Sequence, residues 1–130
     1  MYALSNDATE ELTAATEKSG VERTYQTYTK TNENTGKVYS GRTSGTGTPL
    51  ENITKRDASH HMNNEGFGPA KLDNSSSNLN AIRGREQQLI NKYGGAQSQG
   101  GTSGNRINGI SAKNPNIQIY IYAAEKEFGK

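Results

Sequence analysis

One arginine and one histidine have the spacing of residues on successive turns of a helix. Arg56 and His60 are four positions apart, so in a helix they share one face. A guanidinium that holds charge and an imidazole that moves a proton suit a phosphate group when they converge on one point. The alternative is a solvated polar face on a surface helix. His61 also competes with His60, since it points about 100° further round the helix.

A glutamate within an apolar stripe is a second candidate. Glu86 lies midway between Ile82 and Ile90, at helical spacings of four residues. A carboxylate buried there is costly unless it is paired with a cation or binds a metal ion. A single carboxylate suits Mg²⁺, which keeps several waters and takes further ligands from a substrate phosphate. The alternative is a glutamate at the edge of the stripe that pairs with Arg83 or Arg85.

Two tyrosines lie in segments that have the composition of paired strands. Residues 21–29 and 37–42 are rich in Tyr, Thr and Val and flank an Asn/Gly-rich turn, which predicts a β-hairpin. Tyr25 and Tyr39 therefore lie on neighbouring strands. Tyrosine is common in strands, and a phenol needs a lowered pKa to act as a base near neutral pH, so packing is the alternative role for each.

Capping signals define the predicted helices. Residues 48–51, Thr-Pro-Leu-Glu, form a capping box with proline at the first helical position, and this helix is predicted to run to about Met62. A second helix is predicted from about residue 80 to residue 93. An N-terminal helix is predicted over residues 6–18, where Gly20 would stop it.

The composition changes after the second helix. Residues 94–116 are dominated by Gly, Ser, Asn and Gln and are predicted to form a long loop. Residues 117–122 alternate as Ile-Gln-Ile-Tyr-Ile-Tyr, which is typical of a strand, and a short helical tail follows. The chain is therefore predicted to end in a strand and tail over residues 111–130.

Length and composition limit the classes of protein that the chain can form. With 130 residues, of which 29% are hydrophobic, it is predicted to form a single domain over residues 1–130, and seven tyrosines supply much of the area it can bury. A net charge of +2 does not identify a nucleic-acid binder, so any basic surface must be local. The absence of cysteine excludes a disulfide framework and thiolate zinc. No apolar run approaches membrane-spanning length and the N-terminus lacks the apolar core of a signal peptide, so export would need another route or a larger polypeptide.

Together these residues resemble the GIY-YIG nuclease family. That family has a tyrosine in each of two strand motifs, then a helix with Arg-x-x-x-His or Arg-x-x-x-Tyr, a helical metal-binding glutamate and a closing asparagine. Residues 38–43, Val-Tyr-Ser-Gly-Arg-Thr, resemble the second motif, with serine in place of its usual aliphatic residue. The matching residues, in the family's order, are Tyr25, Tyr39, Arg56, His60, Glu86 and Asn108.

Two of these matches keep an alternative. The first motif lacks the usual Gly-Ile, so Tyr28 rivals Tyr25, although the fourteen-residue step from Tyr25 to Tyr39 resembles the spacing in structure-selective endonucleases of the family. The segment before the closing asparagine is long and rich in glycine, so Asn105 rivals Asn108.

The resemblance implies an α+β fold, with a small antiparallel sheet of about three strands flanked by helices. The core would span about residues 21–110, after a helical extension over residues 1–20. The implied activity is hydrolysis of DNA phosphodiester bonds by an endonuclease that depends on Mg²⁺ or Mn²⁺ bound at Glu86.

The resemblance also implies a role for each remaining residue. A tyrosine helped by His60 would deprotonate the attacking water, and Arg56 would stabilise charge on the phosphate. Asn108 would orient a phosphate or a catalytic group, and Arg42 would contact a substrate phosphate.

Several stretches also resemble the C-terminal nuclease modules of bacterial polymorphic toxins. The clearest are residues 38–45, 56–63 and 100–110. This resemblance implies a monomeric domain, without membrane contact, that its producer secretes within a larger effector and that acts in the cytoplasm of a target cell. A cognate immunity protein would neutralise it. The alternatives are an RNase toxin and a noncatalytic nucleic-acid or protein-binding module that uses its tyrosines for stacking.

Overall fold

Residues 22–130 form an antiparallel sheet of three strands that is flanked by three helices, which confirms the predicted α+β class. The computed structural model describes residues 22–130. The N-terminal extension over residues 1–20, with its predicted helix over residues 6–18, lies outside the described residues. No helix within residues 22–130 is both long and apolar enough to span a membrane.

A hairpin rich in Tyr and Thr forms the centre of the sheet. Strands β1 (Thr24–Thr31) and β2 (Val38–Gly45) pair antiparallel over their whole lengths. Asn32 closes the turn, because its side-chain oxygen accepts from the backbone N–H groups of Asn34 and Thr35 at 2.9 and 3.2 Å. The predicted hairpin is therefore confirmed.

The third strand has a sequence that does not signal a strand. Strand β3 (Lys71–Ser76) pairs antiparallel with β1, so the strand order is β2-β1-β3. Its residues, Lys-Leu-Asp-Asn-Ser-Ser, include no β-branched or aromatic side chain. Asp73 anchors it, since its carboxylate accepts from the Thr27 hydroxyl at 2.8 Å and from the Arg85 guanidinium at 2.8 and 3.1 Å. Tertiary contacts thus make this segment a strand.

Helix α1 (Pro49–Asp57) begins where the capping signals predict. The Thr48 hydroxyl accepts from the Glu51 N–H at 3.2 Å, and the Glu51 carboxylate accepts from the Thr48 N–H at 2.8 Å. Both halves of the predicted capping box are therefore present.

The end of α1 comes earlier than the predicted limit at about Met62. The last helical residue is Asp57, whose carbonyl accepts from the His60 N–H at 3.2 Å and from the Asn63 side-chain amide at 2.7 Å. These bonds turn the chain out of the helix, and a 3₁₀ turn (His61–Glu65) follows. His60 therefore caps a turn and does not continue the helix.

Helices α2 (Leu79–Lys92) and α3 (Ile117–Phe128) pack against each other. The strand predicted over residues 117–122 is wrong, because this segment is the first half of α3. Tyr120 and Ala124, four residues apart, are its buried residues, so the apolar contacts follow the period of a helix. The alternating pattern was too short to distinguish the period of a strand from the period of a helix.

The core mixes apolar and polar side chains. Its larger apolar members are Tyr28, Ile53, Ile82, Leu89, Ile90, Ile110 and Tyr120. Buried polar side chains include Gln26, Lys30, Asn52, His60, Gln87 and Asn105. Buried polar groups need hydrogen-bond partners, so each of these side chains constrains the elements that supply its partners.

Replacing Gly84 by alanine is expected to destabilise the protein, although alanine normally favours a helix by about 1 kcal/mol over glycine. A Cβ at Gly84 would lie 2.0 Å from the backbone oxygen of Tyr120, so α2 and α3 would have to move apart. We expect a loss of about 1–3 kcal/mol in the free energy of unfolding, measured by urea denaturation. Asn80→Ala, at an exposed position of α2, is the control and should be close to neutral. A more stable Gly84→Ala variant would contradict the close packing.

Candidate active site

Tyr28 and His60 form a buried hydrogen-bonded pair. The Tyr28 hydroxyl oxygen lies 2.8 Å from His60 Nε2, and the two rings meet edge to face with centroids 5.6 Å apart. Tyr28 is 1% exposed and His60 is 2% exposed. The tyrosine ring crosses over Gly41 of β2, where a Cβ would lie 2.6 Å from the ring carbon Cζ. Glycine at this position therefore makes room for the pair.

The backbone fixes the tautomer of His60. The N–H of Met62 donates to His60 Nδ1 at 3.0 Å, so Nδ1 carries no proton. In the neutral ring the proton lies on Nε2, which donates to the Tyr28 hydroxyl oxygen. Burial lowers the pKa of His60 to about 4, and the positive charge of Arg56 adds to this effect. At neutral pH, His60 is thus an uncharged donor to Tyr28.

Tyr39 and His61 extend this pair into an aromatic cluster. The Tyr39 ring meets the rings of His60 and His61 edge to face, with centroid distances of 5.1 and 5.8 Å. The two imidazoles stack with centroids 4.7 Å apart. The predicted histidine, His60, lies inside the cluster, whereas His61 is exposed to solvent.

The structure does not bring Tyr25 into this cluster. Tyr25 has Ser44 and Ser76 as its partners on the neighbouring strands. It lies three residues before Tyr28, and side chains alternate along a strand, so the two tyrosines project from opposite faces of β1. Of the two tyrosines considered for the first motif, Tyr28 is the one that reaches His60.

Arg56 adds a positive charge beside the two tyrosines of the cluster. It lies in the last turn of α1, and no carboxylate within residues 22–130 forms an ion pair with it. Burial raises the pKa of Tyr28 and of Tyr39, and the Arg56 charge opposes this rise in both. Arg56 and His60 thus both interact with Tyr28 and Tyr39, although His60 lies beyond the end of α1.

Glu86 is largely buried on α2 and pairs with an arginine from β2. Its Oε1 atom accepts from Arg42 Nε at 3.2 Å, and the glutamate side chain is 13% exposed. Burial raises the pKa of Glu86, and the Arg42 charge opposes this rise. The partners considered from sequence are engaged elsewhere, since Arg83 donates to the Tyr120 hydroxyl and Arg85 binds another carboxylate.

Asn105 and Asn108 have different roles. The side-chain amide of Asn105 donates to the Ser40 carbonyl at 2.8 Å and accepts from the Ser40 N–H at 2.9 Å, so both ends of the amide are used inside the protein. Asn108 lines a cleft, and its Oδ1 atom accepts from Gln87 Nε2 at 2.9 Å. Its own amide nitrogen has no hydrogen-bond partner among the residues that the structure describes. Asn108 is therefore the asparagine that remains free to bind a ligand.

Gln87 positions the loop that carries Asn108, and sequence analysis missed it. Its Oε1 atom accepts from the backbone N–H groups of Gly109 and Ile110 at 3.0 and 3.2 Å. Gln87 is buried three residues before Ile90, at a spacing where a helix facing the core usually has an apolar residue. A polar side chain at that spacing is the signal that could have identified it.

A buried lysine ties down the segment that carries His60. Lys30 is fully buried, and its Nζ atom donates to Asp57 Oδ1 and to Asn63 Oδ1, the latter at 2.6 Å. The other Asp57 oxygen accepts from the Ala70 N–H at 3.2 Å. A lysine two residues after Tyr28 on the same strand face is a signal that sequence analysis did not use, because a buried ammonium needs a carboxylate.

A cleft of about 950 Å³ joins several of the predicted residues. The candidates among its lining residues are Tyr39, Arg42, His61, Glu86, Asn105 and Asn108. The buried pair of Tyr28 and His60 contacts the cleft wall through Tyr39. The cleft therefore presents a phenol, a guanidinium, an imidazole, a carboxylate and an amide to one ligand.

A divalent cation at Glu86 is compatible with this cleft. Within residues 22–130, no group of three or more His, Asp or Glu side chains surrounds a common point. Glu86 instead offers a single, largely buried carboxylate that lines the cleft beside Arg42. Such a site fits Mg²⁺ or Mn²⁺, which can take their other ligands from water and a substrate phosphate.

Comparison with protein-family models, with curated proteins and with solved structures finds no match to this chain. The chemistry of the site therefore has to follow from its own side chains. Groups that can exchange a proton lie beside an arginine and a single carboxylate, which is a set that suits a phosphodiester substrate.

Lowering the pH is expected to destabilise the protein partly through His60. The pKa of His60 is about 4 in the folded protein and 6.5 in its ordinary state, so between these values the unfolded chain binds more protons. The free energy of unfolding should therefore fall as the pH drops from about 6.5 to about 4. His60→Asn, which can still accept from the Met62 N–H, should lose this part of the pH dependence.

Urea denaturation at a series of pH values measures the effect. His61→Asn is the matched control: His61 is exposed beside the same cluster, and this variant should keep most of the slope because burial, the main cause of the lowered pKa of His60, remains. Equal pH dependence in the parent and the His60→Asn variant would contradict a buried, neutral His60.

Proposed function

We propose that the chain is a divalent-metal-dependent endonuclease that hydrolyses phosphodiester bonds in DNA. The observation that carries this proposal is the buried His60, which contacts two tyrosines beside an arginine that lacks a carboxylate partner among residues 22–130. Buried titratable groups of this kind are costly to keep and are typical of catalytic sites. The resemblance to GIY-YIG nucleases points to the same chemistry.

The Tyr39 phenol lines the cleft, so we assign Tyr39 as the base that takes a proton from the attacking water. Tyr28 is buried and accepts from His60, so we assign this pair to holding the Tyr39 ring and its surroundings in place. Burial and the charge of Glu86 raise the pKa of Tyr39, and the charge of Arg56 opposes this rise. Arg56 thereby favours the phenolate, which is the form of Tyr39 that can take a proton from the attacking water.

Negative charge that builds on the phosphate oxygens during attack needs positive partners and hydrogen-bond donors. Arg56 supplies a guanidinium that pairs with no carboxylate within residues 22–130, and Arg42 is 38% exposed at the cleft. A divalent cation held at Glu86 would polarise the scissile phosphate and stabilise the leaving oxygen. The Asn108 amide nitrogen can donate to a further phosphate oxygen, which would fix the orientation of the substrate.

We further propose that this domain is the toxic tail of a secreted interbacterial effector and that it acts in the cytoplasm of the target cell. The support is the resemblance to polymorphic-toxin modules. A producer of such a nuclease needs an immunity protein, which we expect to be small and acidic. Lys37, Arg42 and Arg106 line the cleft, so an acidic partner would be steered toward it and held less tightly at high salt.

Nicking of supercoiled plasmid by the purified domain tests the proposed activity. With Mg²⁺ we expect open-circular and then linear plasmid, and with EDTA we expect neither. A noncatalytic binding module would keep its affinity for DNA in EDTA and would never nick the plasmid. An RNase toxin would degrade RNA and leave the plasmid supercoiled.

Replacing Tyr39 by phenylalanine is expected to lower cleavage by about a hundredfold or more, because the change removes the hydroxyl that exchanges the proton and keeps the ring. Tyr28→Phe should also lower cleavage, and it should cost about 1–3 kcal/mol of stability because the His60 N–H loses its buried acceptor. Tyr25→Phe is the control and should cleave like the parent. Plasmid nicking and thermal melting measure these effects, and a Tyr39→Phe variant as active as the parent would exclude the assignment.

Replacing Glu86 by glutamine is expected to abolish cleavage at ordinary Mg²⁺ concentrations, because it removes the charge that a hard cation needs. The variant should melt no earlier than the parent in EDTA, since a largely buried charge has gone and Arg42 remains partly solvated. Glu65→Gln is the control, because Glu65 also lines the cleft but is exposed. Melting in EDTA and nicking across a Mg²⁺ titration separate the roles: early melting with parental nicking would make Glu86 a structural residue.

A further inference from the structure

A second concavity lies at the far end of β2, away from Tyr39, and the proposed mechanism uses only Arg56 among its lining residues. It has a volume of about 600 Å³ and is formed by the end of β2, the loop that follows and one side of α1. We call it the basic trough and define it by Arg23, Ser44, Gly47, Lys55, Arg56 and Ser59.

The charge of the basic trough is positive and largely uncompensated. Arg23, Lys55 and Arg56 line it, and none of them pairs with a carboxylate within residues 22–130. Glu51 is the one acidic residue among the described lining residues, and its carboxylate is already used to cap α1. A chain with a net charge of only +2 thus concentrates positive charge at this place.

The floor of the basic trough is held by hydrogen bonds. The side-chain oxygen of Asn52 accepts from the Gly47 N–H at 3.2 Å, and its nitrogen donates to the Gln26 side chain of β1 at 3.0 Å. Arg23 donates to the Ser44 hydroxyl at 2.8 Å, which places its guanidinium along β2. The positive groups therefore stand on an ordered surface that lies between a strand and a helix.

Arg56 connects the basic trough with the aromatic cluster. It lines the trough, and its charge also acts on Tyr28, Tyr39 and His60. Tyr39 and Ser44 are five residues apart on β2, which corresponds to about 17 Å along a strand. One strand of a duplex presents a phosphate about every 3.4 Å along its axis, so this distance spans about five nucleotides.

We propose that the basic trough, through Arg23, Ser44 and Lys55, binds the phosphodiester backbone of DNA about five nucleotides from the bond that is cut. This inference rests on the proposed function for the identity of the ligand. Cationic side chains and hydroxyl groups are the donors that contact phosphates, and such contacts position a duplex without reading its sequence. The trough would thereby hold the substrate in register along β2 while the cleft acts on one phosphate.

The test is DNA binding by the purified domain in EDTA, where cleavage does not consume the probe. A labelled duplex is titrated at several NaCl concentrations, and the slope of log K against log salt is measured. Each phosphate contact contributes about 0.9 to this slope on a duplex. The double variant Arg23→Ala/Lys55→Ala should therefore have a slope smaller by about 1 to 2 than that of the parent.

The double variant Lys113→Ala/Lys126→Ala is the matched control. It makes the same change in charge at exposed positions outside the basic trough, so its slope should stay near that of the parent. Equal slopes for the two double variants would overturn the proposal. A domain that shows the expected difference in slope but never nicks plasmid would support DNA binding by the basic trough and contradict the proposed endonuclease activity. A domain that nicks plasmid but has equal slopes would contradict only the proposal for the basic trough.

Discussion

The hydrogen bond from the backbone N–H of Met62 to His60 Nδ1 is the interaction on which the site depends. It leaves Nε2 as the ring atom that carries the proton, and it thereby directs an N–H group at the Tyr28 hydroxyl. The bond arises because His60 is the N-cap of the 3₁₀ turn that begins at His61. A local capping interaction therefore sets the protonation of a side chain in the core.

The position of that turn itself depends on one buried lysine that joins three elements. Lys30 of β1 bonds to Asp57 at the end of α1 and to Asn63 within the turn, so strand, helix and turn are joined around one ammonium group. Gly41 of β2 leaves the space that the Tyr28 ring fills. The aromatic cluster thus depends on the Lys30 ammonium group, on the lack of a side chain at Gly41 and on the Met62 backbone donor. None of these needs a large apolar core.

Local signals in the sequence were enough for the hairpin, the start of α1 and the extent of α2. They failed for β3, because Asp73 anchors this strand through partners that are distant in sequence. They failed for α3, because the alternating segment at 117–122 fits both the period of a strand and the period of a helix. The site was predictable in part: Tyr39, Arg42, Glu86 and Asn108 meet at one cleft. The choice between Tyr25 and Tyr28 could not be made from sequence, since it depends on which face of β1 turns toward His60.

The contact between Asn105 and β2 also affects how two copies of the protein can meet. Among the strands of residues 22–130, β2 lies at the edge of the sheet, and an edge with free backbone groups is a template for pairing with another chain. The Asn105 amide takes both backbone groups of Ser40, and the Gly104 N–H donates to the Val38 carbonyl at 2.7 Å. This half of the edge is therefore already paired, so the loop blocks the edge-to-edge association through which sheet proteins aggregate and swap domains.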